Sequence, residues 1–382
     1  MKKIFILALL TQLTACNFDS DNQNHSAGCY APNKDGAFIR LVASDYSASD
    51  LAFLCQDNTL QSNLAPSAYS DITYQLGAER LYQIGRYELD YIASINYQNL
   101  NVDYQYSVND AAQSGANPYR VIEVSTSKAY VIRYGANDIW QINPSATLET
   151  NFKEDSIDLS SFSEKENGKP EMADAVLMDD ILYVILQRLD GYDAINKGLL
   201  VAIDTNDNSL IDLDAEQEGV NGLELLVTNP SHIQLQNGSL IIDGIGRYAA
   251  WDGSRDAEYT GGVEQINLQT FEQTMLYYND ASTGQTQDVA LSAEFTVLNQ
   301  YHGYQSNKVL ILKDGETTEL DPEKLNGDIT FISISPENEI WVGFNDNIDP
   351  KIFVYQQTEQ GWNIKSSTST VLVPKDVLFV RQ

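Results

Sequence analysis

Three observations predict an all-β fold, a seven-bladed β-propeller of four-stranded blades. From Cys29 to the end, strand signals recur with almost no helical periodicity. Apolar strands ending in a polar residue recur seven times: LAFLCQ at Gln56, YIASIN at Asn96, IWQIN at Asn143, LVAID at Asp204, VEQIN at Asn267, VLILK at Lys313 and IFVYQ at Gln356. Their separations of 40, 47, 61, 63, 46 and 43 residues lie near the roughly 40 to 50 residues of one propeller blade, with insertions in two blades. A pair of β-sandwiches, the competing architecture, predicts no such constant period. The clearest single unit is Ser127 to Ala146, SKAYVIRYGANDIWQINPSA. In it Ala129 to Ile132 alternate as one strand, Gly135-Ala136-Asn137-Asp138 turns the chain, and Ile139 to Ile142 returns before Asn143-Pro144.

In chain order, residues 1–15 form a leader. Lys2 and Lys3 precede an apolar run from Ile4 to Leu10, and Leu13-Thr14-Ala15 leads into Cys16. The arrangement resembles a bacterial lipoprotein signal peptide, whose cysteine is acylated with lipid such as palmitate and becomes the mature N-terminus. The run is too short to span a bilayer as a helix, so the lipid on Cys16 is the expected membrane anchor. Asn17 after the cysteine, by resemblance to enterobacterial sorting, favours an outer-membrane lipoprotein, periplasmic or surface-exposed. Residues 16–28 are polar and aperiodic, a flexible tether. Residues 29–382 are the propeller domain.

Cys29 and Cys55 remain as an even pair in an oxidising compartment and are expected to form a disulfide, with two buried free thiols the bland alternative. No Cys-x-x-Cys or His cluster accompanies them. Blade one starts abruptly at Gly36-Ala37-Phe38-Ile39, while TVLVPKDVLFVRQ after Gln356 supplies one strand more than blade seven needs. Val377 to Val380 is therefore expected to pair within blade one and close the ring. The most helix-like stretch, Ser107 to Gly115, is short and polar.

Composition narrows the function. The chain has 382 residues, 54 Asp plus Glu against 23 Lys plus Arg, and a formal charge of -31. Phosphates of nucleic acid and anionic head groups would be repelled. Hydrophobic content of 43% is ordinary, and 22 Tyr against 4 Met suits strands with aromatic edges.

The stretch KAYVIRYGANDIWQINPSA, with the later IDTNDNSLID, resembles the blades of YncE-like, surface-layer-type propellers, in which a segment of the form "aYvt.yg.n.v.viDp.t" recurs. The match is good in blades three and four, fair in five and seven, and poor in one and two. The resemblance implies the propeller fold and a protein that serves as binding platform, partner or enzyme. The repeated Trp-Asp dipeptide of WD40 blades and the tryptophan-docking motifs of quinoprotein dehydrogenases are both missing.

In a propeller, the loops between second and third strands share one face with the loops entering each first strand. On that face an Arg-Tyr pair recurs as Arg86-Tyr87, Arg133-Tyr134 and Arg247-Tyr248, with Gln187-Arg188 at the matching place in blade four. Such pairs suit an anionic or aromatic ligand, because guanidinium forks bind carboxylate or phosphate while tyrosines stack. They equally suit ion pairs between blades. The long blade-five loop adds Trp251, Asp252, Arg255, Asp256 and Tyr259, the blade-six loop adds Tyr301 and His302, and Glu171 enters blade four on the same face.

No catalytic residue is assigned. A phosphate loop, a nucleophile elbow and a His-Glu-x-x-His pattern are all missing. His25, His232 and His302 are scattered, so no metal site is assigned. Asp204-Thr205-Asn206-Asp207-Asn208 imitates an EF-hand start but has Ser209 where glycine belongs, leaving calcium as a minor reading and no cofactor expected. Asn345 to Asp349 is similar and weaker. The sequence thus points to a lipid-anchored envelope propeller that binds an envelope protein or a small anionic or aromatic ligand without chemistry of its own. The alternative is a metal-dependent, lactonase-like hydrolase working near the channel.

Overall fold

The computed structural model describes residues 29–31, 34–96, 98–111, 114–164 and 168–380. They form seven antiparallel sheets around a central channel, six with their strands in chain order and one led by the last strand of the chain. The seven repeats are the third strand of each blade: Ser49–Cys55, Tyr91–Asn96, Asp138–Ile142, Lys197–Asp204, Gly262–Asn267, Lys308–Lys313 and Lys351–Thr358. A third strand is hydrogen-bonded on both edges and covered on both faces by neighbouring blades. It therefore reads as a continuous apolar run, and in Lys197–Asp204 every residue from Gly198 to Ile203 is buried.

The core lies between blades. Tyr130, Ile132, Leu182, Val184 and Val201 pack blade three against blade four, and Val297, Val309, Ile340, Val342 and Phe344 do the same for blades six and seven. Blade four departs from four continuous strands. Its outer position is shared by Leu210–Ile211 and Leu223–Thr228, both paired to Lys197–Asp204, because the insertion between them interrupts the edge. The stretch from Ser107 holds no helix among its described residues. There the buried Asp90 carboxylate accepts from Asn109 Nδ2, Gly115 N and Asn117 N at 3.1, 3.0 and 2.7 Å.

The innermost strands repeat one distortion. A β-bulge interrupts pairing at Tyr119, Ala173, Ser231, Gln287, Thr330 and Lys375 in six of the seven blades. Bulges bend a strand and re-aim the side chain that follows.

The C-terminal strand closes the ring. Val373–Val380 runs antiparallel to Gly36–Val42, with Gly36 opposite Val380 and Val42 opposite Val373. A disulfide joins Cys29 to Cys55 at a Cα separation of 6.2 Å. It holds Tyr30 against Phe38 and Phe53, at 5.4 and 5.0 Å between ring centres. The leader, Cys16 and the tether lie outside the described residues. Among those described, no helix is long and apolar enough to cross a membrane.

Deleting the last dozen residues should remove the inner strand of blade one, bare the Gly36–Val42 edge, and strip Val373, Val377 and Phe379 from the seam. At roughly 1.5 to 3 kcal/mol per buried apolar side chain the loss is on the order of 5 kcal/mol. Urea denaturation of the truncated chain checks this, and an unchanged midpoint would show that closure does not hold the ring.

Candidate functional site

Loops joining second to third strands open on one face in every blade, together with those leading into each next blade. Six of the seven second-to-third-strand loops carry a large exposed apolar residue: Tyr46, Tyr87, Tyr192, Trp251, Tyr304 and Ile348, with Tyr192 and Trp251 fully exposed. Tyr69, Tyr278 and Val371 add to the same end. Of the seventeen large apolar side chains exposed among the described residues, eleven stand on this face. Single exposed apolar residues are ordinary, whereas a concentration on one end is not.

The loops are held stiffly enough to present those side chains. Arg247 binds both oxygens of Asp193 through Nε and Nη2 at 2.7 and 2.6 Å, and donates from Nη1 to Glu258 at 2.6 Å. Arg255 adds a bond to Asp193 at 3.2 Å. This clamp joins the blade-four loop that carries Tyr192 to the blade-five loop that carries Trp251. Arg188 pairs with Glu164.

Arg133, although it belongs to the same Arg-Tyr series, is 2% exposed. It bridges Asp110 at 2.7 Å and Asp138, and its guanidinium lies 4.4 Å over the Trp140 ring. Arg86 is half-buried, 3.3 Å from Asp71 and 4.2 Å over the Tyr119 ring. Tyr119 stacks on Tyr134 at 4.5 Å, Tyr134 donates to Gln187 Oε1 at 2.8 Å, and Gln187 Nε2 donates to the Pro230 carbonyl at 3.1 Å. That ladder crosses blades two to five at the channel mouth. Tyr248 meets Tyr301 edge-on at 6.3 Å, and His302 is exposed. Glu171 is buried with a left-handed φ of 52°, and its carboxylate accepts from Leu189 N at 2.7 Å, closing the base of the blade-four loop.

Below the mouth, the bulges place one charged side chain per blade on five innermost strands: Arg120, Asp174, His232, Asp288 and Asp376. Asp174, Asp288 and Asp376 each accept from the next backbone N–H at 2.8 to 2.9 Å. Asp174 and Asp288 also reach the following blade, accepting from Ile233 N at 3.3 Å and Ile332 N at 3.2 Å. Arg120 Nε donates to Asp174 at 2.6 Å. His232 Nδ1 lies 3.1 Å from Asp243, itself 1% exposed. The Arg120 and His232 side chains keep 41% and 40% of their surface open, so these groups face a wet channel.

These groups act on one another. Enclosure by protein works to lower the His232 pKa, but the Asp243 carboxylate, helped by Asp288 and Asp174, overrides it and holds the imidazole up at about 10. Burial raises Asp288 to about 6 against the opposing pull of His232. Burial likewise raises Asp376, next to Arg40. At neutral pH the bore therefore carries a cationic imidazole among carboxylates.

Pattern reading missed this cluster, although a signal was present. Asn117-Pro118 and Asn229-Pro230 occupy equivalent places, and the bore residue stands two positions beyond each proline. The calcium-like stretch is a clasp between blades three and four: Asn206 N and Ser209 N bond Asp204 and Asp207 at 2.8 and 2.9 Å, while Asn208 bonds Tyr130, Gln141 and Asp155. Among the described residues no three His, Cys, Asp or Glu side chains are placed to hold a metal ion.

This architecture makes the chain a seven-bladed β-propeller. No protein-family model matches it, and no curated protein matches it. Solved structures do. A putative 6-phosphogluconolactonase from Bacteroides uniformis superposes with a TM-score of 0.59 at 11% identity, over 91% of this chain and 100% of that one. Another from Bacteroides fragilis gives 0.55 at 13% identity, over 91% and 98%. A streptogramin B lyase gives 0.53 at 12% identity, over 81% and 91%. At such identities the likeness concerns the fold alone.

The raised imidazole has a consequence for stability. With a folded pKa near 10 and an unfolded one near 6.5, the His232–Asp243 contribution is fully present below about pH 6.5 and lost as pH rises through 10. Asp288, raised to about 6, acts in a separate window: its contribution is present below about pH 4 and gone above 6. Urea midpoints should therefore fall from pH 7 to pH 10, and His232→Asn should flatten that fall. Equal falls in both proteins would sink the assignment.

Proposed function

We propose that the protein is a lipid-anchored binding module of a Gram-negative envelope that holds an envelope protein through its loop-rich face and performs no chemistry of its own. The crown of exposed aromatic side chains, one per loop in most blades, carries this reading. Tyrosine and tryptophan anchors supply much of the energy of protein interfaces, and a crown spread over five blades suits a broad partner surface. The arginines that would recruit a small anionic ligand already have carboxylate partners within the fold, which weighs against that ligand. Replacing Tyr87, Tyr192, Trp251 and Tyr304 together by serine should abolish partner binding, since each such anchor is worth about 2 kcal/mol, while melting stays unchanged. Crosslinking on intact cells checks it: the wild type should give an adduct with a defined envelope protein, and the same adduct from the variant would refute the face.

The address rests on the residues around Cys16. Cys16→Ser should move the protein from the membrane fraction to the soluble fraction and remove palmitate labelling. Retention at the membrane by the variant would overturn the lipid anchor. A lactonase-like hydrolase is the second reading, favoured by the Arg120 and His232 side chains open to the bore.

A further inference from the structure

The bore holds charged groups that binding through the loop-rich face does not use. Arg120, His232 and Asp376 stand at one level of it, each just past the bulge of its innermost strand, opposite Ile132, Asp243 and Arg40 of the adjoining second strands. They belong to blades three, five and one, so they approach the axis from three well-separated sides.

Each keeps one polar atom without a partner among the described residues. Arg120 spends Nε and Nη2 on Asp174 at 2.6 and 3.4 Å, which leaves Nη1. His232 spends Nδ1 on Asp243, which leaves Nε2. Asp376 accepts from Val377 N through Oδ1 at 2.8 Å, which leaves Oδ2. All three atoms are solvent-accessible. Their neighbours in the bore are already engaged. Both oxygens of Asp174 and both of Asp288 accept hydrogen bonds, one from each reaching the following blade. Arg40 donates Nη1 to the Ile72 carbonyl at 3.0 Å. Among the described residues no ion pair joins Asp376 to Arg40, Arg120 or His232, yet all four groups feel one another: burial raises the Asp376 pKa, while Arg40, then Arg120 and His232, pull it down.

We propose that the bore is a binding site for a small zwitterion, a simple amino acid, whose carboxylate accepts from Arg120 Nη1 and His232 Nε2 and whose ammonium donates to Asp376 Oδ2. A ligand of one charge would meet opposition there. A lone carboxylate would face Asp376 as well as the two cations, and a lone ammonium would face Arg120, His232 and Arg40 as well as the acid. A zwitterion answers both signs and adds no net charge to a bore in which acids and bases already nearly balance. The site lies below the mouth, is separate from the aromatic crown, and performs no reaction.

Glycine, β-alanine and 4-aminobutyrate space the two charges by one, two and three carbons. Each is titrated calorimetrically into the purified chain at neutral pH, beside the acid and the amine that lack one of its charges: acetate and methylamine, propionate and ethylamine, butyrate and propylamine. One zwitterion should bind one to one, about tenfold more tightly than either of its singly charged analogues, since each lost contact is a hydrogen bond between charged groups. Asp376→Asn, which keeps an acceptor for Val377 N, should bring that zwitterion down to the level of the acid. His232→Asn should weaken the zwitterion and the acid alike, about tenfold, and leave the amine unchanged. Replacing Tyr87, Tyr192, Trp251 and Tyr304 together by serine should leave its affinity unaltered, which separates this site from partner binding. Thermal melting reports the folding of each variant, and Asp376→Asn decides the matter if His232→Asn is unstable. Absence of saturable binding by all three zwitterions, affinity no higher than that of the acid or the amine, or binding indifferent to Asp376→Asn would each overturn the proposal.

Discussion

The pairing of Val373–Val380 with Gly36–Val42 is the constraint on which the molecule depends. Without it, blades seven and one would each show a bare apolar face, and the sheet edge at Gly36–Val42 would stand open. With it, the two ends of the chain lie in register, Gly36 against Val380, and every blade is covered on both sides. Closure also makes the seam unlike the other six junctions, since strands supplied by opposite ends of the chain cannot share a hairpin.

Closure separates the two ends of the disc by chemistry. One end gathers the variable loops, whose aromatic tips are held by ion pairs such as Arg247 with Asp193. The other end is made of short hairpins and clasps, such as Asn208 with Tyr130, Gln141 and Asp155. Between them runs the bore, where bulges turn Arg120, Asp174, His232, Asp288 and Asp376 inward and let the aspartates tie one blade to the next through backbone N–H groups. The same carboxylates thus fasten neighbouring blades and set the charge of the channel.

The recurring Arg-Tyr pairs illustrate how one sequence signal can hold several structural roles. Arg86 lies on an aromatic ladder at the mouth, Arg133 is sealed between Asp110 and Asp138 beneath Trp140, and Arg247 clamps two loops. All three stand at the end of a second strand or just beyond it and look alike in sequence, yet their surroundings come from different loops. Trp251 was legible as an unusual residue because it sits in an insertion with no repeat to pack. Tyr192 and Tyr304, also exposed, were not, because tyrosine is common throughout the chain.

By itself the sequence determined the strand period, the number of blades and the strand that closes the ring. Each of these is written in local order: apolar runs buried on both faces, turns that end them, and spacing along the chain. Only the tertiary structure decided which carboxylate each arginine meets and which side chains line the bore. Those outcomes depend on residues from different blades, brought side by side by register shifts and by closure, and contacts between residues so far apart along the chain leave no periodic trace in it.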